Sequence, residues 1–299
     1  MKNFILISVI LLIASCYLDT SDKRKEWGKG NFSNEDGIIV EYDGIEREYV
    51  LYVPNSYDGN TSVPLLLNFH GGGGTATGQM YISSMNQVSD TAGFIIAYPQ
   101  GSNLIDGSSH WNSMLATEDN KSTTDDIGFI SHLIDQISFN YNINPDRVFA
   151  CGYSNGADFS ISLGCYLSNK ISSVASVSGL MSNESDSLCS PKGNSRILMI
   201  NGTSDFERPY GGIENYYLSV ENTLLYWSTY HNTDSVEFQN YIDDNGNDIE
   251  QYTYYNSHGL SLIEHYKIIN GGHDWFDISY QTLNIDQIIW NFFLKSGSN

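Results

Sequence analysis

A serine between two glycines is the first place where this sequence could carry chemistry. The segment CGYSNGAD holds Gly152, Ser154 and Gly156 in a Gly-x-Ser-x-Gly arrangement, directly after an apolar run. A serine hydroxyl is a weak nucleophile unless a neighbouring base takes its proton. The spacing is typical of a sharp turn between a strand and a helix, which leaves the hydroxyl exposed at the end of the strand. We therefore expect Ser154 to act as a nucleophile if the chain also supplies a base and an acid.

The two glycines have a steric reason in such a turn. A β-carbon at Gly152 or Gly156 would crowd the strand or the helix beside the serine. The positive end of the following helix would also stabilise negative charge near Ser154. Because this five-residue pattern is loose, the prediction depends on the partners that the rest of the chain offers.

The acid and the base are expected later in the chain, in the order serine, acid, histidine, each after a later strand. Asp205 follows the apolar run RILMI in a Gly-Thr-Ser context that suits a tight turn. Glu207 and Asp274 are weaker candidates, since one lies too far past the turn and the other adjoins the histidine. His273 follows two glycines after another strand and is the predicted base. Four further histidines fall on predicted helices or in or beside a hairpin: His132, His231, His258 and His265.

A glycine run after an early strand supplies backbone donors. The segment His70 to Gly74 matches the His-Gly-Gly-Gly loops whose N–H groups face a reacting carbonyl. We expect a backbone amide of this loop, with that of Asn155, to form the oxyanion hole. The run could instead be a flexible turn or a phosphate loop, but a phosphate loop needs a lysine that is missing here. His70 is interpreted as a brace for the loop rather than as a base.

The elements that must position these residues alternate between strands and helices. Continuous apolar runs predict buried strands at PLLLNF, FIIAY, RVFACGY, SSVASVS and RILMI. Helices are predicted at 77–91, from Asn155, and at DDIGFISHLIDQI, where Ile127, Ile130, Ile134 and Ile137 share one face. Alternation on either side of Asp43-Gly44 indicates an early antiparallel hairpin. The prediction is a mostly parallel central sheet with an antiparallel N-terminal hairpin and helices on both faces.

Composition limits the classes of partner. The chain has 299 residues, 40% of them hydrophobic, which suits one large α/β domain. Fourteen basic residues against 35 acidic ones give a net charge of −21 and argue against nucleic acid. Asp125 and Asp126 could suggest a cation site, but their position at a helix start favours capping. We expect no metal and no organic cofactor.

The N-terminus has the layout of an export signal. Residues 1–15 combine Lys2 with a short apolar stretch and small residues, and IASC resembles the signal of bacterial lipoproteins, in which Cys16 carries the lipid. An ordinary signal peptide is the alternative. Residues 16–36 are polar and are interpreted as a tether, which leaves 37–299 as the folded domain. Any membrane association would then occur only through a lipid on Cys16.

Export to an oxidising compartment changes the interpretation of the cysteines. With Cys16 set aside, Cys151 lies in the apolar run before the serine and is expected to be a buried thiol. Cys165 and Cys189 remain as a predicted disulfide.

The motifs together resemble a known family, the exported esterases grouped with polyhydroxybutyrate depolymerases and feruloyl or acetylxylan esterases. The resemblance runs through HGGGGTATG, AYPQGS, HWN, DDIGFISHLID, YNINPDRVFACGYSNGADFS, NGTSD, PYGG and GGHDWF, in the family's order. It implies an α/β-hydrolase fold, a triad of Ser154, Asp205 and His273, and an oxyanion hole formed by Gly72 or Gly73 with Asn155. It also implies ester substrates of small, hydroxyalkanoate or plant cell-wall type. Trp111 resembles the family's aromatic wall of the substrate pocket, with a loop anchor as the alternative.

Three positions depart from the family pattern. Ala157 replaces a second glycine after Ser-Asn-Gly, Asp274 stands where a hydroxyl residue is common, and Asn201 stands where histidine is frequent. None belongs to the triad, so we expect the chemistry to be retained and the preferred ester to differ. Two other functions stay open: a surface lipoprotein that binds polysaccharide with little or no catalysis, and an amidase or peptidase on the same fold.

Overall fold

The computed structural model describes residues 37–117 and 121–295. The predicted signal peptide, Cys16 and the tether lie outside the described residues. The strands, in chain order, are β1 (Ile38–Tyr42), β2 (Ile45–Tyr52), β3 (Val63–Phe69), β4 (Ile95–Pro99), β5 (Ser102–Asn103), β6 (Ser109–His110), β7 (Ile143–Tyr153), β8 (Ser173–Val177), β9 (Arg196–Gly202), β10 (Thr233–Ile242), β11 (Asp248–Asn256), β12 (Ser261–Ile268), β13 (Ser279–Tyr280) and β14 (Leu283–Asn284).

Ten of these strands form one sheet in the order β1-β2-β4-β3-β7-β8-β9-β12-β11-β10. The six central strands, from β4 to β12, run parallel, and an antiparallel hairpin closes each edge. The predicted N-terminal hairpin is therefore confirmed. Its turn places Asp43 and Gly44 at φ 52° and 73°, the left-handed pair that suits a two-residue hairpin loop. The hairpin of β10 and β11 adds two strands at the opposite edge.

Seven helices lie within the described residues. They are α1 (Ala76–Ile82), α2 (Met85–Ala92), α3 (Asp126–Asn140), α4 (Asn155–Tyr166), α5 (Asn183–Leu188), α6 (Val220–His231) and α7 (Ile285–Leu294). Helices α3, α4 and α6 bury apolar side chains in one core, and α1, α2 and α7 bury theirs in a second core. The cores lie on opposite faces of the sheet, because alternate residues of a strand such as Leu65 and Leu66 enter different cores. The predicted layering is confirmed.

The single helix predicted over 77–91 is wrong, because the structure divides it at Ser83 and Ser84. The backbone of Ser83 is extended, and its hydroxyl donates to the carbonyl of Gln79 while it accepts from the side chain of Asn68. The amide of Ser84 donates to a carboxylate oxygen of Asp286 at 3.1 Å. Local side-chain bonds and one distant acid thus interrupt the helix.

The edge strand β10 is more exposed to solvent than the interior strands. Side chains of Val236, Phe238 and Ile242 on this strand are more than half exposed, whereas every residue of β4 and β8 is buried.

No helix among residues 37–117 and 121–295 is long and apolar enough to cross a membrane. The parallel strands place the loops that follow β3, β7, β9 and β12 at one edge of the sheet, where the predicted chemistry should meet.

Candidate active site

Ser154, His273 and Asp205 meet at the carboxyl edge of the sheet. The hydroxyl oxygen of Ser154 lies 2.8 Å from Nε2 of His273, and Nδ1 of the same ring lies 2.7 Å from Oδ2 of Asp205. Their loops follow β7, β12 and β9. The side chains of Asp205 and His273 are 1% and 16% exposed, and Ser154 is 9% exposed. A hydrogen-bonded serine, histidine and carboxylate in this order can transfer the serine proton to the ring.

The turn at Ser154 is strained, as its sequence predicts. Its backbone has φ 54° and ψ −120°, a conformation that β-branched or bulky residues avoid. A β-carbon at Gly152 would lie 2.3 Å from the carbonyl oxygen of Gly156, and one at Gly156 would lie 2.5 Å from the carbonyl oxygen of Phe69. The predicted steric requirement for both glycines is confirmed. The turn directs the serine hydroxyl toward the loops rather than into the core.

The carboxylate of Asp205 is fixed by backbone donors. Its Oδ1 accepts hydrogen bonds from the amides of Glu207 and Arg208, at 2.8 and 2.7 Å, which leaves Oδ2 for His273. The amides of Thr203 and Ser204 donate to carbonyls of Ile268 and Gly271, which precede His273. The acid loop and the histidine loop therefore brace each other. Of the weaker acid candidates, Glu207 contributes its backbone amide here and Asp274 is exposed.

Two side chains that the sequence reasoning missed hold the histidine loop from below. The hydroxyl of Tyr153 donates to the carbonyl oxygen of His273 at 2.8 Å, and the hydroxyl of Ser178 donates to that of Asp274 at 2.8 Å. The ring of Tyr153 also lies 5.2 Å from the imidazole of His273. Because Tyr153 directly precedes Ser154, one segment of chain positions both Ser154 and His273.

The two glycines proposed for the oxyanion hole are not equivalent. The amide of Gly73 donates to the carbonyl of Ser109 at 2.7 Å, so this N–H is already used and the prediction for Gly73 is corrected. The amide of Gly72 has no acceptor among the residues that the structure describes, and Gly72 is exposed at the cavity beside Ser154. Asn155 is the first residue of α4, where helix geometry leaves the N–H without an internal acceptor. The available donors are therefore Gly72 and Asn155.

His70 braces the glycine loop. Its Nε2 accepts the amide N–H of Gly101 at 2.9 Å, so the proton sits on Nδ1, which donates to the carbonyl of Gly71 at 2.7 Å. Burial lowers the pKa of His70 below its usual value, which keeps the ring neutral. A neutral ring with both nitrogens occupied cannot serve as the base.

Trp111 borders the cavity beside Ser154, but its ring is fully buried. It stacks on Phe159 with centroids 5.0 Å apart, and its Nε1 donates to the carbonyl of His70. Its backbone forms two hydrogen bonds with the side-chain amide of Asn155, one in each direction. These contacts favour the loop-anchor interpretation, in which Trp111 ties its loop to the helix that follows the nucleophile.

A cavity of about 330 Å³ opens beside Ser154. Its walls come from the glycine loop, the segment after β5, and the segment after Asp205. Most of its lining side chains are polar, and they include Ser108, His110, Asn112, Lys121, Glu207 and Arg208. Burial lowers the pKa of His110 to about 4, so its imidazole enters the lining as a neutral group. The cavity therefore offers a substrate hydrogen-bond donors and acceptors next to the serine hydroxyl.

Comparison with known proteins gives several relatives that are named as esterases. No protein-family profile matches the chain. It is 28% identical over 183 residues to a bifunctional acetylxylan esterase/xylanase of Neocallimastix patriciarum, which covers 58% of this chain and 25% of that protein. It is 26% identical over 237 residues to feruloyl esterase B of Piromyces equi, covering 76% and 42%. The chain thus matches less than half the length of these curated relatives.

Among solved structures, an acetyl xylan esterase from Aspergillus awamori superposes with a TM-score of 0.59 at 16% identity, covering 83% of this chain and 94% of that one. The chain has the α/β-hydrolase fold. At 16% identity, this structural similarity establishes the fold alone, that is, the arrangement of strands and helices. The central parallel sheet and the turn at Ser154 agree with that fold.

Within this α/β-hydrolase fold, a buried ion pair was missed by the sequence reasoning. The carboxylate of Asp158, on the first turn of α4, pairs with the guanidinium of Arg208, with Nη2 and Oδ2 2.8 Å apart. Their side chains are 1% and 17% exposed. A signal was available, because an acid inside the otherwise uncharged run GADFSISLG needs a partner when the helix is buried.

One position that departs from the resembled family, Asn201, has clear surroundings in this fold. Asn201 is buried and donates to the carbonyl of Gly179 at 3.0 Å.

Asp125 caps α3 by accepting the amide of Gly128, as predicted, whereas Asp126 pairs with Arg47 at 2.7 Å in the interior. No cluster of three or more metal-ligating side chains occurs in the described part of the chain.

The cysteines of the α/β-hydrolase domain fall into two groups. Cys165 and Cys189 are disulfide-bonded, with their Cα atoms 5.8 Å apart, and the bond joins the end of α4 to the residue after α5. Cys151 is a fully buried free thiol on β7, and burial raises its pKa well above the usual value. Such a thiol is unreactive while the protein is folded.

Proposed function

We propose that the chain is a serine carboxylic-ester hydrolase that acts through an acyl-enzyme. The observation that carries the proposal is the continuous hydrogen-bonded series from Ser154 through His273 to Asp205, at 2.8 and 2.7 Å. Two free backbone amides, at Gly72 and Asn155, border the same cavity as the serine. Curated relatives named as acetylxylan and feruloyl esterases support the same reaction class.

In the first half of the reaction, Nε2 of His273 takes the proton of Ser154 while the serine oxygen attacks the ester carbonyl. The carbonyl oxygen becomes an anion and accepts hydrogen bonds from Gly72 and Asn155. Asp205 holds the ring in the tautomer with its proton on Nδ1 and stabilises the imidazolium. The ring then gives its proton to the leaving alcohol, which departs and leaves the acyl group on Ser154.

In the second half, a water molecule takes the place of the alcohol. His273 removes one proton from this water as its oxygen attacks the acyl carbonyl, and the same two amides hold the second oxyanion. Collapse of the intermediate breaks the bond to Ser154, which recovers its proton from His273. The products are one carboxylic acid and one alcohol, and the protein returns to its starting state without a cofactor.

The cavity favours esters of hydroxylated alcohols over an aliphatic polyester. The exposed side chains of Lys121 and Glu207 in the lining can pair with sugar hydroxyls, which both donate and accept hydrogen bonds. A polyhydroxybutyrate chain offers acceptors and methyl groups but no donors along its length, so it could pair with Lys121 but would leave the carboxylate of Glu207 without a partner. We therefore rank acetyl and feruloyl esters of plant cell-wall polysaccharide first and polyhydroxybutyrate second.

Export is part of the proposal. The apolar stretch before Cys16 supports secretion, and IASC supports a lipid on that cysteine. Intact mass spectrometry of the protein purified from membranes tests this, since a lipid-bearing N-terminal Cys16 gives a mass increase that the variant Cys16→Ala lacks. An unmodified soluble product would restrict the proposal to ordinary secretion.

The reaction is tested with p-nitrophenyl acetate and the variant Ser154→Ala. Ser160→Ala is a matched control, because Ser160 is a buried serine on the same helix whose hydroxyl donates only to the carbonyl of Gly156. We expect Ser154→Ala to abolish turnover and labelling by a fluorophosphonate, and Ser160→Ala to retain both. Equal turnover by wild type and Ser154→Ala would refute the proposed mechanism.

The substrate ranking needs a second panel. Acetylated xylan, methyl ferulate, hydroxybutyrate oligomers and a p-nitroanilide would be compared by kcat/KM. We expect the two plant-type esters to exceed the hydroxybutyrate oligomers. A higher value for the oligomers would reverse the ranking, and a higher value for the anilide would favour an amidase on the same triad.

A further inference from the structure

The ion pair of Asp158 and Arg208 connects the nucleophile helix to the acid loop. Asp158 lies four residues after Ser154, and its Oδ2 accepts from Nε and Nη2 of Arg208 at 3.0 and 2.8 Å. Its Oδ1 accepts the amide of Leu180 at 2.8 Å, which fixes the carboxylate from a third side. The guanidinium lies over the ring of Tyr217, 5.1 Å from its centroid. Asp158 is remote from Arg208 in sequence, whereas Tyr217 is close to it.

Arg208 also contacts the triad through its backbone. Its amide donates the shorter of the two hydrogen bonds to Oδ1 of Asp205, at 2.7 Å. One residue therefore holds Asp158 with its side chain and Asp205 with its main chain. Since Asp158 belongs to the helix that starts beside Ser154, the distance between nucleophile and acid depends on this connection.

Burial and charge restrict the movement of Arg208 relative to Asp158. Burial by itself would lower the pKa of Arg208, but the adjacent carboxylate of Asp158 raises it above the usual value and keeps the guanidinium charged. Two hydrogen bonds between planar groups also fix the relative orientation of the partners. Replacing a buried ion pair by apolar residues of similar volume is often neutral or stabilising, so the pair is weak evidence for a purely stabilising role.

We propose that Asp158 and Arg208 are positioning residues that fix the carboxylate of Asp205 relative to Ser154. The inference rests on the proposed esterase function and deepens it. Neither residue reacts. Arg208 acts by holding the amides that bind Asp205, and Asp158 acts by holding Arg208.

The alternative is that Arg208 contacts the substrate, because it also lines the cavity. The two roles differ in kinetics. A positioning residue acts on the chemical steps and changes kcat, whereas a uniform substrate contact changes KM with little effect on kcat. A purely structural role would change neither once the folded fraction is equalised.

The experiment compares Arg208→Met, Asp158→Asn and the double variant with wild type on p-nitrophenyl acetate, together with urea unfolding. The single variant Asp158→Asn leaves a buried guanidinium without its carboxylate, so it should be less stable. The double variant has no unpaired charge, and its asparagine still accepts the amide of Leu180, so its stability should recover. We expect kcat to fall at least tenfold in all three, with KM within twofold of wild type.

Arg196→Met is the matched control. Arg196 is another buried guanidinium over an aromatic ring, that of Phe292 at 4.5 Å, but it begins β9 at the opposite edge of the sheet from the triad. We expect it to lose stability and to keep kcat. Recovery of kcat together with stability in the double variant would overturn the proposal, and so would a raised KM with unchanged kcat. Inactivity of the wild type itself would instead contradict the proposed function.

Discussion

The hydroxyl of Tyr153 donates a 2.8 Å hydrogen bond to the backbone carbonyl of His273, 120 residues further along the chain. The residue before Ser154 therefore supports the loop of His273, and its ring packs against the imidazole. Ser154 and His273 are positioned together rather than separately. This relationship leads directly to a kinetic prediction.

Tyr153→Phe should lower kcat about fivefold, because it removes one hydrogen bond worth about 1 kcal/mol and keeps the ring packing. KM should not change. Tyr52→Phe is the control, since Tyr52 donates to Asp90 at the surface and has no contact with the triad. Steady-state kinetics on p-nitrophenyl acetate measure both variants. An unchanged kcat in Tyr153→Phe would show that this bond does not hold the histidine loop.

The amide of Gly72 is tested by comparing a variant that lacks its N–H with a variant that retains it. Gly72→Pro lacks the N–H and should lower kcat about 10²- to 10³-fold, as is typical for one oxyanion donor. Gly72→Ala retains the N–H, and its β-carbon would lie 3.8 Å from that of Asn155, an ordinary contact. It should keep most of the activity. If both variants fold and have equal kcat, the donor is not Gly72.

Asp286 should make the protein less stable as pH rises. Burial raises its pKa to about 6, although the amide of Ser84 partly opposes this. An acid whose pKa is raised by folding is stabilised in its protonated form, so stability is lost as pH rises from about 4 to about 6. The loss is of order 3 kcal/mol at most and is complete above that window. Asp286→Asn should unfold at a higher temperature than wild type at pH 8, and the difference should vanish at pH 4.

His265 should make the protein less stable as pH falls. Burial lowers the pKa of this imidazole, which lies between the rings of Tyr210 and Tyr252, to about 3. The neutral ring is favoured by the fold, so stability is fully present above about pH 6.5 and is lost as pH falls toward 4. His265→Phe keeps an aromatic ring and removes the titration. Its unfolding free energy should fall less than that of wild type between pH 6.5 and pH 4, and parallel curves would contradict the assignment.

The disulfide gives a prediction that does not depend on catalysis. Cys165 and Cys189 are 24 residues apart, and closing a loop of this size restricts the unfolded chain by about 3 kcal/mol. Cys165→Ala/Cys189→Ala should lower the free energy of unfolding by that order. In native Cys16→Ala protein, which lacks the cysteine outside the described residues, Ellman's reagent should find no reactive thiol, because Cys151 is buried. One titrating thiol before unfolding would count against this arrangement.

The parts of the site that the sequence predicts are those encoded locally. Ser154 and its glycines form a short steric pattern, and Asp205 and His273 each follow an apolar run that reads as a buried strand. The β-carbon distances at Gly152 and Gly156 show why no other residue fits there. The mostly parallel arrangement of the central strands follows from the same alternation of strands and helices.

The parts that the sequence does not predict depend on distant partners. The break at Ser83 and Ser84 involves Asp286, and the loss of Gly73 as a donor depends on the carbonyl of Ser109. Burial of the Trp111 ring follows from the positions of neighbouring aromatic side chains. In each case a residue's role is decided by a contact that only the folded chain creates, so local propensity carries no signal for it.

The exposed edge strand β10 can affect how the protein associates in concentrated solution. In the part of the chain that the structure describes, no strand pairs with its outer side, and Val236, Phe238 and Ile242 are exposed along it. An open strand of this kind can pair with the same strand of another molecule. Asp234 and Glu237 and the net charge of −21 keep copies apart by repulsion. Salt shortens the range of that repulsion to about 10 Å at 0.1 M, so colloidal stability should decline in brine and improve in dilute buffer.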